Sequence, residues 1–238
     1  MNTSSQSSFR YLDIVAAFFV AILVVSNIAS SAKIVDLGVS LFSIPLAFDG
    51  GTLLFPFVYV LGDVLTEVYG FKTARRVIWT GFAAMALTAL VFFTLGALPP
   101  EAYWEETAGS AAYNAILGGM SYGGIVLASL TAYLAGEFSN AAVLSKLKVK
   151  MKGRLLFVRT IGSTLVGELL DTLIFVLIAS AAGVFGWELF WPLVITNYIL
   201  KCGIEALITP FTYWACRFLK RKEGVDVYDE AEKRNPSA

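Results

Sequence analysis

Residues 55–79 read FPFVYVLGDVLTEVYGFKTARRVIW. The stretch is apolar enough to enter a bilayer, yet it holds Asp63 and Glu67 and ends against Lys72, Arg75 and Arg76. A charged side chain at mid-membrane costs about 2.5 to 3.5 kcal/mol on insertion scales, so each acid needs a partner or a task. What surrounds the stretch decides which.

The chain is 238 residues long, 57% hydrophobic, with a mean hydropathy of +0.71. A soluble domain holds about 45 to 50% apolar residues. Six apolar stretches can be drawn, over 11–30, 52–69, 77–98, 115–137 or beyond, 157–184 and 190–218. They approach the roughly 20 residues that cross a bilayer as helix. Between the first two, KIVDLGVSLFSIPLAFDGG (33–51) alternates and is punctuated by Pro and Gly-Gly, which predicts a short hairpin or re-entrant element at the interface. The expected fold is an all-α membrane protein of six transmembrane helices.

Orientation follows from the cations, because Lys and Arg collect on the cytoplasmic side of short loops. With the N-terminus inside, the inner segments gather Arg10; Lys72, Arg75 and Arg76; Lys146, Lys148, Lys150, Lys152, Arg154 and Arg159; and Arg217, Lys220, Arg221, Lys222, Lys233 and Arg234. That is sixteen of eighteen basic residues, leaving Lys33 and Lys201, so both ends are placed in the cytoplasm. The acidic stretch around Glu101, Glu105 and Glu106 then falls outside. Residues 1–222 read as one transmembrane domain and 223–238 as a loose polar tail. The polar start, MNTSSQSSFR, does not read as a cleaved signal peptide.

The composition also excludes chemistry. The formal net charge is zero, so no global basic field points to nucleic acid. No histidine is present, which removes the commonest general base and transition-metal ligand. Cys202 and Cys216 lie fourteen residues apart on one expected helix, about 21 Å, too far to pair. No nucleophile motif or metal set stands out; the expectation is not an enzyme, with no cofactor and no metal.

What remains is a buried polar constellation: Asp63 and Glu67, Glu137, Glu168 and Asp171, Lys201 and Glu205. Asp63 and Glu67 are spaced i, i+4, Glu168 and Asp171 i, i+3, and Asn197, Lys201 and Glu205 i, i+4, i+8, so each set shares one helix face. Three polar stripes suit a bundle around a wet cavity. Six acids against one lysine call for protons or for a ligand rich in hydrogen-bond donors. Phe175 and Tyr198 are among the aromatics that could stack on a flat ring. Glu168, Asp171, Asn197, Lys201, Glu205, Phe175 and Tyr198 are the expected substrate contacts. Asp63 and Glu67 are expected to close the cytoplasmic end through Arg75 and Arg76, with direct ligand contact as the lesser alternative.

Residues 55–79, GELLDTLIF (167–175) and NYILKCGIEALITPFTYWACRFLK (197–220) resemble the queuosine precursor transporters, a branch of the vitamin uptake transporter group. The resemblance spans essentially all six stretches. It implies a bacterial inner-membrane importer of 7-cyano-7-deazaguanine or 7-aminomethyl-7-deazaguanine, with the family's functional positions falling on Asp63, Arg75, Arg76, Asp171 and Lys201. Glu67, Glu168 and Glu205 sit where other members differ. The alternative is a substrate-binding component that needs a separate energising complex; facilitated and proton-coupled transport both fit, acid excess favouring the second. Lipid is an expected partner, and a homo-oligomer is compatible with the sequence.

Overall fold

The computed structural model describes residues 9–41, 44–121, 123–183 and 186–228. The first eight residues of the polar N-terminus, the Val184 end of the fifth apolar stretch, and Lys233 and Arg234 lie outside that range.

Helix α1 (Leu12–Ala32) is followed by an antiparallel hairpin, β1 (Ile34–Leu41) and β2 (Ile44–Asp49). Its register runs from Ile34 opposite Asp49 to Leu41 opposite Ile44, with an irregularity between Asp36 and Ser40 where Gly38 takes φ 68°. The chain returns to α1 at Gly50, where any side chain would collide: a Cβ would stand 2.7 Å from the Ala29 carbonyl oxygen. A 3-10 turn (Gly50–Leu53) then leads into α2 (Phe55–Tyr69), with Pro56 in its first turn, where a missing N–H costs no hydrogen bond.

Gly70, at φ 83°, ends α2 and starts α3 (Phe71–Ala97). Then come α4 (Ala102–Thr107), capped by the Glu101 carboxylate on the Tyr103 and Trp104 N–H groups, and α5 (Gly109–Ser121). Helices α6 (Gly123–Lys150) and α7 (Leu156–Ala181) form a long antiparallel pair, and α8 (Phe190–Glu223) closes the bundle.

Among the described residues, four helices, α1, α3, α7 and α8, are long and apolar enough to cross a membrane. Their outer faces are apolar: Leu207 is 81% exposed, whereas Glu205, two residues away, is 2% exposed. Polar inside and apolar outside is the arrangement that lipid selects, since only hydrocarbon makes that face favourable. The other two expected spans look different. Helix α2 has 15 residues, about 22 Å long and short of a 30 Å core, and nearly all of it is buried by its neighbours. The stretch 115–137 is divided between α5 and α6, so Glu137 sits mid-helix in α6 and not at the end of a span.

The tail also departs from expectation. Residues 223–228 are docked: Glu223 accepts from the Arg10 and Tyr11 N–H groups at 2.8 and 2.7 Å and from the Tyr69 hydroxyl at 2.9 Å, and Asp226 pairs with Lys148 and Lys220. The start of α1 and the end of α8 therefore share one end of the bundle. Residues 229–238 lie outside the described range.

Candidate substrate site

Helix α2 carries Phe55, Tyr59, Asp63 and Glu67 at successive i, i+4 steps, one stripe down one face. Helix α7 carries Arg159, Ser163, Gly167 and Asp171 at the same interval. The two stripes run antiparallel, so that Glu67 meets Arg159 at one end, Tyr59 meets Gly167 in the middle, and Phe55 and Asp171 share Lys201 at the other.

At the outer end Lys201 is the hub. Its Nζ lies 2.6 Å from Asp171 Oδ2, 3.3 Å from Glu168 Oε2 and 5.0 Å from the centre of the Phe55 ring. Access is graded: the side chains of Asp171 and Lys201 remain 14% and 9% exposed, and that of Glu168 is sealed. Behind them the Thr164 hydroxyl donates to Glu205 Oε1, and Asn140 Nδ2 donates to Asp63 Oδ1 at 2.9 Å.

The middle layer depends on two glycines. A Cβ on Gly136 would stand 2.6 Å from the Tyr59 hydroxyl and 2.8 Å from Asp171 Cβ; one on Gly167 would stand 2.8 Å from Asn140 Cβ. Their absent side chains let α6, α7 and the Tyr59 ring meet at one crossing.

Many oxygens in this region have no hydrogen-bond partner among the described residues: Tyr59 Oη, Asp63 Oδ2, Glu137 Oε1, Asn140 Oδ1, Glu168 Oε1 and Glu205 Oε2, while Glu168 Oε2 has only the Lys201 ammonium at 3.3 Å. Buried polar atoms are nearly always hydrogen-bonded, and a concentration of exceptions marks a place built for something else. Almost all of these atoms accept, so the arrangement suits a ligand that donates.

The expected substrate set is thus partly assembled. Glu168, Asp171 and Lys201 come together with Glu205 behind them. Asn197, one turn outward on α8, is half-buried and makes no hydrogen bond to a described residue; Tyr198 donates to the Leu165 carbonyl at 3.2 Å near the surface; Phe175 is half-buried one turn beyond Asp171. The expected closure through Arg75 and Arg76 is corrected: both are exposed on α3, and neither pairs with Asp63 or Glu67. Glu67 is held instead by Arg159 Nη1 and Lys220 Nζ, each at 2.5 Å, while Lys148 Nζ donates to its backbone carbonyl at 2.6 Å. Arg159 and Lys148, read from the sequence as loop charges, are 1% and 2% exposed. For Arg159 a signal was present in the three i, i+4 steps that lead from it to Asp171. Asn140 and Thr164 were missed because a neutral polar group on an apolar helix is ordinarily unremarkable.

Residues 49–215 match the family model described as "Putative vitamin uptake transporter". The chain belongs to that family. It is 28% identical over 174 residues to a protein of Bacillus subtilis strain 168 named probable queuosine precursor transporter, covering 73% of each chain. It is 28% identical over 207 residues to the Escherichia coli K12 protein named queuosine precursor transporter, covering 86% of each. A Haemophilus influenzae protein named probable queuosine precursor transporter is 24% identical over 160 residues, 66% of this chain and 63% of that one. No solved structure matches. With its lipid-facing helices, this member of the vitamin uptake transporter family is a multi-pass protein of the bacterial inner membrane.

Proposed function

We propose that the chain imports queuosine precursors, 7-cyano-7-deazaguanine and 7-aminomethyl-7-deazaguanine, into the cytoplasm. The observation that carries this reading is the sealed Glu168 carboxyl, whose Oε1 has no hydrogen-bond partner among the described residues, set beside Asp171 and the single lysine Lys201. A guanine-like edge offers ring N–H and amino donors beside one carbonyl acceptor. Glu168 and Asp171 accept from the donors, Lys201 donates to the carbonyl, and Phe55 or Phe175 stacks on the ring. The names of the relatives point to the same substrate class.

The bundle crosses the membrane six times with both ends in the cytoplasm, and 1–222 forms one transmembrane domain. Supporting this are the cation distribution and the contact of Arg10 and Tyr11 with Glu223, which brings both ends to one side. Transport is coupled to protons: once Glu67 has its cations, five buried or half-buried acids, Asp63, Glu137, Glu168, Asp171 and Glu205, remain for one lysine, Lys201. The test is uptake by purified protein in liposomes, beside thermal-shift measurements with both deazaguanines. Asp171→Asn and Lys201→Ala should each lose binding; unchanged affinity and transport in both would refute the assignment. Uptake without any added protein would also exclude an obligatory energising complex.

A further inference from the structure

Glu137 and Asp63 lie apart from the lysine hub, on facing sides of α6 and α2. A Cβ on Gly62 would stand 2.9 Å from Glu137 Oε2, so the Glu137 carboxyl occupies the space that Gly62 leaves beside Asp63. The two side chains belong to residues 2% and 1% exposed. Asp63 has a donor, the Asn140 amide, on Oδ1; Glu137 has none on Oε1.

The groups facing Glu137 are acidic or neutral. Helix α2 brings Asp63 and Tyr59, α7 brings Glu168 and Asp171, α8 brings Glu205, and Tyr133 lies one turn away on α6 itself. Tyr133 donates to the Ile78 carbonyl, and Tyr113 of α5 donates to that of Phe92, both on α3. Helix α1 contributes Phe19, and Lys72, Arg75 and Arg76 of α3 are exposed. Every nearby cation is engaged elsewhere: Lys201 with Asp171 and Glu168, and Arg159, Lys148 and Lys220 with Glu67. No group of three or more acidic, Cys or His residues able to hold a metal ion occurs among the described residues. A metal cation would need about six oxygens; a proton needs one.

We propose that Glu137, paired with Asp63, is the proton-binding site of the transporter, distinct from the substrate site at Glu168, Asp171 and Lys201. This rests on the proton-coupled reading above. Asp63 Oδ1 accepts from the Asn140 amide, whereas Glu137 Oε1 has no donor among the described residues, and the proton resides on Glu137. Charge on this pair is felt at the substrate site through the crossing at Gly136, which touches both Tyr59 and Asp171. A loaded proton removes one negative charge beside Glu168 and Asp171, and its release restores it. Loading and substrate binding are thereby coupled in both directions.

Infrared spectroscopy of the purified, substrate-free protein reads the proton directly, independently of what is transported. The expected result is a deuterium-sensitive C=O stretch of a protonated carboxyl that is lost in Glu137→Gln. In liposomes an inward proton gradient should accelerate wild-type uptake of 7-cyano-7-deazaguanine several-fold, while Glu137→Gln retains binding and ignores the gradient. Persistence of the full band in Glu137→Gln, or unchanged gradient response, overturns the proposal, as does loss of binding with the response intact, which would make Glu137 a substrate ligand. If Glu137→Gln does not fold, Glu137→Asp keeps the carboxyl but withdraws it by one methylene; the band must then shift, and an unshifted band is equally fatal. If the wild type binds neither deazaguanine, the substrate reading falls while the infrared result still judges the proton site.

Discussion

Arg159 reaches Glu67 with two nitrogens, Nη1 to Oε2 at 2.5 Å and Nη2 to Oε1 at 3.2 Å, and both side chains are sealed from solvent. The pair fastens the end of α2 to the start of α7, and Lys220 adds the end of α8 at 2.5 Å. Three helices are thus pinned at the end of the bundle where the start of α1 meets the end of α8.

Removing Glu67 leaves the sealed Arg159 with backbone carbonyls and no acid among the described residues, and an uncompensated buried charge costs about 3–5 kcal/mol, whereas removing both partners costs far less. Glu67→Gln alone should therefore destabilise strongly in denaturant unfolding, and the double variant Glu67→Gln with Arg159→Met should recover much of the loss. Simple additivity of the two single effects would contradict the pairing.

Asp226 ties the docked segment to this cluster through Lys148 at 2.5 Å and Lys220 at 2.9 Å. Burial raises its pKa, but the hydrogen bonds and charges of the two lysines outweigh that, and its carboxyl titrates below the ordinary 3.8. A depressed native pKa stabilises the docked form above the ordinary value and loses that stabilisation as pH falls through the native one. Residues 223–228 should stay protected from hydrogen exchange from neutral pH down to about the ordinary carboxylate range and be released below it. Asp226→Asn should release them at neutral pH.

The glycine crossing is sensitive to a single methyl. Overpacking typically costs about 1–3 kcal/mol, and Gly136→Ala would push on both Tyr59 and Asp171. Its uptake should fall further than its folded yield. Gly203→Ala is the control: a Cβ there meets nothing within 4 Å, so expression, stability and uptake should be close to wild type.

Arg75 and Arg76 are exposed and unpaired with the buried acids. Replacing both with Gln should leave substrate-induced thermal shifts unchanged and alter unfolding by no more than about 0.5 kcal/mol. A lost thermal shift would return these arginines to the site.

Composition alone made this a membrane protein, because 57% hydrophobic residues exceed what a soluble surface can hide. Spacing alone grouped Asp63 with Glu67 and Lys201 with Glu205, because a helix repeats its faces every three to four residues. The hairpin at 34–49 was legible in its alternation and turn residues. Spacing could not say which stripe faces which. Lys148 counted as a loop charge until α6 extended past its apolar run and carried it inward, and Arg159, in the first turn of the 157–184 stretch, was grouped with the loop cations although α7 buries it. Arg75 and Arg76 were nearer to Glu67 in sequence, but the turn at Gly70 directs them outward. Helix periodicity is local and is written in neighbouring residues. Which charge neutralises which is settled by long-range packing, here by Gly136 and Gly167 letting α2, α6 and α7 close on one another, and no local pattern encodes that distance.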